Sequence, residues 1–228
     1  MTIVLIAAAL YVVATGLLVV GVRRVSSLVA PDRETRTWLL PAIVAVVLHG
    51  AAHVLAWRAA AGLDLHFFAA LSLVGMGMAA LTTLYGASGR MAALGVVVFP
   101  IAAMSLLAYA HDGHVGAVQL DWRLQLHAWC ALLAYATLAV AALLAIMLLL
   151  QERAMRRRQF HGWRRALPPL TELESLLFRT IAVGFVLLTA TLLSGVLFVE
   201  NLLAQHLVHK TVLSVLSWLA FGALLLGR

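Results

Sequence analysis

The sequence predicts an all-α fold, a polytopic transmembrane bundle of seven spans, and three observations carry that prediction. Of the 228 residues, 64% are apolar and 11% charged, with a mean hydropathy of +1.03, whereas soluble domains carry about 25% charged residues. Uncharged runs recur at bilayer length. One of them, residues 128–150, would form a helix of about 34 Å, enough for a hydrocarbon core of about 30 Å. The basic residues then fall on alternate connections between runs, as the positive-inside rule requires. The net charge of +7 and the pI near 10.7 are therefore a topology signal, and nucleic acid is not an expected partner. The bilayer is.

By uncharged length the spans cover residues 2–22, 38–57, 65–87, 91–110, 124–150, 180–199 and 207–227, within one transmembrane domain, 1–228. The first run lacks a preceding basic stretch and is followed by Arg23 and Arg24, which suits an uncleaved helix with its N-terminus outside. Thirteen basic residues fall on one side: those of 23–36, Arg90, those of 153–179 and Arg228. Only Arg58, Arg123 and Lys210 fall on the other. This imbalance predicts a periplasmic N-terminus and a cytoplasmic C-terminus. The one sizeable connection is a basic cytoplasmic loop, about 151–179.

Local signals punctuate the spans. Asp121 is placed to cap span five. Pro100 removes a backbone hydrogen bond inside span four and is expected to kink it. Gly75 and Gly77 permit close helix contact in span three. Thr171-Glu172-Leu173-Glu174 reads as a capping box, with Leu173, Leu176 and Leu177 on one face. That helix is expected to start along the interface and then turn in as span six. The single cysteine, Cys130, lies in an apolar run and reads as a small packing residue.

Histidine carries the chemistry. There are nine, and all but His161 lie in or near the outer half. His49 and His53, four apart on span two, share one helical face, with His49 near mid-membrane. His127 opens span five, and His206 and His209 open span seven at the same edge. Ionisable groups at membrane depth face a cavity or a partner. Neutral imidazole is the commonest ligand of haem and transition metals. Thiolates are absent here, and the outer carboxylates are only Asp64, Asp112, Asp121 and Glu200. Imidazoles among apolar helices suit haem better than a hard cation. His49, His127 and His209 are the leading candidates, followed by His53 and His206. His66, His111, His114 and His161 read as surface residues.

The runs LQLHAWCALLAYATLAVAALLAIMLLLQERAMRRR, LPPLTELESLLFRTIAVGFVLLTATLLSGVLF and LAQHLVHKTVLSVLSWLAFGALLLGR resemble the bacterial cytochrome c assembly protein family. They are closest to its branch without a tryptophan-rich motif, the YpjD-type and HemX-like inner-membrane proteins. The resemblance is strongest from Leu124 to Arg228, where His127 and Tyr135, the loop and the His209-Lys210-Thr211 triplet follow in order. It implies a multi-pass inner-membrane protein that handles haem for cytochrome c assembly. It also implies haem held near the outer face by histidines, with His127 matching the first outer histidine and His209 the later one. His49 stands as the intramembrane candidate. The segment VENLLAQHLVHK contains no tryptophan, and the nearest is Trp218. Members also commonly carry an eighth span.

The function expected is haem binding in cytochrome c assembly or tetrapyrrole handling. Imidazoles of spans two, five and seven would hold the cofactor, with His127 and His209 on the haem iron. Other cytochrome c assembly proteins are the expected partners. No nucleophile or acid–base pair is evident, so an enzyme is not expected. The alternative is an accessory or regulatory subunit of a membrane transporter for a metal such as magnesium, with structural histidines; the missing tryptophan-rich loop favours it. An electron-transfer subunit with two stacked haems would need histidines in the inner half of the spans, and there are none.

Overall fold

The computed structural model describes residues 1–26, 36–87, 92–112, 119–156, 169–198 and 208–227. Among them every regular element is helical. In chain order these are α1 (Thr2–Ser26), a single 3-10 turn (Arg36–Trp38), α2 (Leu39–Ala59), α3 (Phe67–Ala87), α4 (Ala92–Asp112), α5 (Trp122–Arg156), α6 (Leu170–Phe198) and α7 (Val208–Leu226). Among the described residues, the first six helices are long and apolar enough to cross a membrane, and α7 is a shorter apolar helix. The expected all-α, multi-pass architecture is what the chain adopts.

The helices pack in a simple order. α1 lies against α2 and α4, and α3 against α4 and α2, so the first four close a ring. α5 joins this ring through α3, α6 packs along α5, and α7 packs on α6. Lipid is as apolar as a leucine side chain, so close van der Waals fit must hold such helices together. The residues facing one another are accordingly small. A Cβ at Gly75 would overlap the Ser105 hydroxyl and come within 3.4 Å of the Ala102 Cα on α4. A Cβ at Gly77 would come within 2.8 Å of the Ala136 Cβ on α5. The sequence placed close contacts at these two glycines, and they are the contacts that join α3 to both neighbours. Larger side chains fill the spaces left: Tyr11 and Leu18 of α1, Phe99 of α4, Leu144 of α5 and Leu173 of α6 share one core cluster.

Two helices outrun the spans read for them by two turns or more. α5 has 35 residues, about 52 Å, and α6 has 29, about 44 Å. Both exceed the hydrocarbon thickness, so they continue as a hairpin beyond the bilayer on the arginine-rich side. The last turn of α5 carries an Arg156–Glu152 ion pair at 2.6 Å, spaced i,i+4. The interfacial start expected for α6 is corrected by this hairpin. Leu173 is 0% and Leu177 7% exposed, and both continue the stripe of Ile181, Gly184 and Leu188. The extension of α5 gives these leucines a protein partner, so the helix has no need to lie along the membrane. Its start also differs from a capping box. The Pro169 carbonyl accepts from the Glu172 and Leu173 amides, both at 3.0 Å, which puts Thr171 inside the first turn. Asp121 does cap α5: its carboxylate accepts from the Trp122 amide at 2.8 Å, and its carbonyl from the Gln125 amide. α4 runs unbroken through Pro100.

Candidate functional site

Two histidine settings emerge, one inside the ring and one at its arginine-poor end. Inside the ring, His49 and His53 stand one turn apart on α2 and are 0% and 1% exposed. Their rings stack at 5.6 Å. Both aim Nε2 at a single hydroxyl, Ser72 Oγ on α3, at 2.8 Å from His49 and 3.0 Å from His53. His49 Nδ1 meets the Tyr11 hydroxyl of α1 at 3.2 Å. The His53 ring also stacks on Tyr109 of α4 at 4.4 Å. α2 thus contributes two polar side chains to the centre of the ring, and α1, α3 and α4 one each. Burying such groups is tolerable only when they are hydrogen-bonded to one another.

The turn between α2 and α3 supplies a second pair. Ala61 takes a left-handed conformation, φ 52°, and the Gly62 amide donates back to the Trp57 carbonyl. The reversed chain then buries Asp64, whose carboxylate accepts from His66 Nδ1 at 2.6 Å. The His66 ring lies 5.8 Å from Tyr109. His66 was expected as a surface residue; the buried carboxylate beside it holds it partly inside instead.

At the arginine-poor end, His127 of α5 faces α6. Its Nδ1 lies 3.0 Å from Ser194 Oγ. The Ser194 hydroxyl donates its one proton to the Thr191 carbonyl, also at 3.0 Å. A carbonyl only accepts, so Ser194 must accept from His127, which fixes Nδ1 as the protonated nitrogen. Nε2 is left with its lone pair and no hydrogen-bond partner among the described residues. A turn away, Arg123 lies over Trp122 and Phe198, 5.6 and 5.9 Å from their ring centres. The guanidinium is more than half exposed. Trp129, two residues beyond His127, meets Trp57 of α2 edge to face at 5.8 Å. This contact ties the ring to α5 beside a cleft of about 420 Å³ lined by Trp57, Arg58 and Gln125.

The sequence matches the cytochrome C assembly protein family over residues 37–228, a stretch that holds both settings except for Tyr11. The chain belongs to that family. It is similar to inner membrane protein YpjD of Escherichia coli strain K12, 26% identical over 199 residues that cover 84% of this chain and 75% of that protein. The protein of the same name from Escherichia coli O157:H7 gives the same figures. An uncharacterized 28.8 kDa protein from Azospirillum brasilense is 35% identical over 107 residues, 46% of this chain and 40% of that one. No solved structure matches the chain.

Cytochrome c assembly proteins are associated with haem, so each setting can be tested for fit. His127 fits: one nitrogen is held by protein and the other is open, the usual arrangement of a metal-ligating imidazole. The His49–His53 pair does not fit as it stands. Both Nε2 atoms are engaged by Ser72, and Tyr109 and Tyr11 occupy the flanks. Among the described residues no three metal-binding side chains converge. The sequence gives the depth of His49 and of His127 but not the direction each faces. Here one turns into the ring and the other towards α6. His209 opens α7 at the same end as His127, although its side chain is outside the described residues. His206, His114 and His161 also lie outside them, and His111 is exposed. The residues that orient the imidazoles, Ser72, Ser194, Tyr11 and Tyr109, were not singled out from the sequence. Their one signal was being polar within otherwise apolar spans.

Proposed function

We propose that this multi-pass inner-membrane protein binds haem at its periplasmic edge and serves cytochrome c assembly, with His127 as an iron ligand. The observation that carries this reading is the fixed tautomer of His127. Ser194 accepts from Nδ1, and the open Nε2 presents its lone pair at the membrane edge. Haem supplies an iron that takes such a lone pair, and its propionates need cationic partners. Arg123 is a cation one turn from His127 at that edge, held over Trp122 and Phe198 and 4.0 Å from the Asp121 carboxylate. His209, at the start of α7, is the second ligand in this reading. The arginine-rich ends face the cytoplasm and the site faces outward. The names of the YpjD relatives support an inner-membrane location.

The test is an absorption spectrum of the detergent-purified protein after haem addition, oxidised and then reduced. A Soret band that sharpens on reduction is expected. His127→Ala and His209→Ala should each weaken it. Ser194→Ala should lower haem affinity about 10- to 100-fold while leaving the ligand in place, as loss of an orienting partner does. A featureless spectrum from the wild-type protein in the presence of haem overturns the reading.

A further inference from the structure

The closed pair inside the ring has a chemistry of its own, independent of the haem reading. Tyr11, His49, Ser72 and His53 form one hydrogen-bonded line. Ser72 has one hydroxyl proton and an imidazole nitrogen on each side. It must donate to one and accept from the other. A neutral imidazole carries a single N–H, so His49 and His53 are opposite at Nε2: where one is protonated, the other is not. Only two arrangements satisfy the line. In the first, the Tyr11 hydroxyl donates to His49 Nδ1, His49 Nε2–H donates to Ser72, and Ser72 donates to His53 Nε2. In the second, every donor and acceptor is reversed. The first also satisfies the Tyr11 hydroxyl, which has no other hydrogen-bond partner among the described residues.

A line that can be drawn in either polarity is one along which a proton can hop. The geometry points to a proton relay, Tyr11–His49–Ser72–His53, that charges a mid-membrane imidazole from the arginine-poor side. The transfer starts from the second arrangement, in which His53 Nε2 carries the hydrogen and Ser72 donates to His49 Nε2. When a proton is added at His53 Nδ1, the Nε2–H bond breaks and its proton passes to Ser72 Oγ. The proton already on Ser72 passes to His49 Nε2. His53 ends neutral, and His49 ends as the imidazolium, donating through Nδ1–H to the Tyr11 oxygen. The charge moves about 6 Å along α2, and no oxidant or reductant is needed. The two ends differ. At the His53 end stand Tyr109 and, beyond it, the His66–Asp64 pair of the α2–α3 turn. At the Tyr11 end the ring stacks on Phe99, which meets Trp38, so the line stops in apolar packing. A relay that ends in apolar packing at Tyr11 stores a proton and does not leak it across the bilayer.

The experiment is nitrogen-15 NMR on the full-length protein in lipid nanodiscs, labelled at histidine, with His49→Gln and His53→Gln used for assignment. Opposite tautomers at His49 and His53 are expected. Solvent deuterium exchange at the His49 N–H should slow by at least about tenfold in Ser72→Ala, the size of one lost hydrogen bond. It should persist in Ser72→Thr, which keeps the hydroxyl. His53→Gln removes the entry point and should slow exchange at His49 as well, which covers the case of a Ser72→Ala protein that does not fold. The same tautomer at both positions overturns the relay. So does exchange at His49 that is indifferent to the hydroxyl and to His53, since that would be a static buried network.

Discussion

Ala61 is the one non-glycine residue with positive φ among the described residues, at 52°, and it sets up the turn that buries Asp64 beside His66. A side chain there costs about 1–2 kcal/mol, part of which glycine returns as lost chain entropy on folding. Ala61→Gly should therefore stabilise the protein by about 0.5–1 kcal/mol, seen as a higher thermal midpoint in detergent; a lower midpoint would show that the turn is not strained. The residue scale is also where sequence reading stopped short. His49 and His53 on one face of α2 followed from their spacing alone, since helical period fixes it. Ser194 did not, because a serine in an apolar span is most often a packing residue. Its role depends on the Thr191 carbonyl that occupies its proton and on His127 arriving from another helix.

Among the helices, fit between α3 and its neighbours decides stability. Gly75→Ala would press on the Ser105 hydroxyl, a single atom that can be removed, so Ser105→Ala should restore most of the loss. Gly77→Ala meets the Cβ of Ala136, which cannot rotate away. It should cost about 1–3 kcal/mol and be relieved by Ala136→Gly and not by Ser105→Ala. Unfolding midpoints of the two double variants, each against its single, separate these contacts. α7 depends on a different device: Trp218 stacks on Phe185 at 5.5 Å, and its indole N–H donates to Thr189 at 2.8 Å. Helix existence was legible throughout, because bilayer-length apolar runs allow no other backbone solution. Helix length was not. An uncharged run measures the bilayer, whereas α5 and α6 continue for as long as Leu173, Leu177 and Ala154 remain buried on the hairpin.

Taken whole, the molecule places its helices in space much as they lie in the chain. A ring of α1 to α4 is followed by α5, α6 and α7, each packed on an earlier helix. Separate polypeptides 1–118 and 119–228, expressed together, should therefore co-purify through the α3–α5 face, and Gly77→Leu should abolish their recovery as a pair; halves that never associate would contradict this packing. The sequence showed seven spans but not this order of docking, since span length carries no information about neighbours. The same order bears on how the chain is made. By the time α4 has left the ribosome, the five polar side chains at the ring's centre can already find one another. No buried imidazole then waits in lipid for a helix still to be translated. His127 differs: its partner Ser194 emerges 67 residues later, so this edge of the protein is completed only after α6 has followed α5.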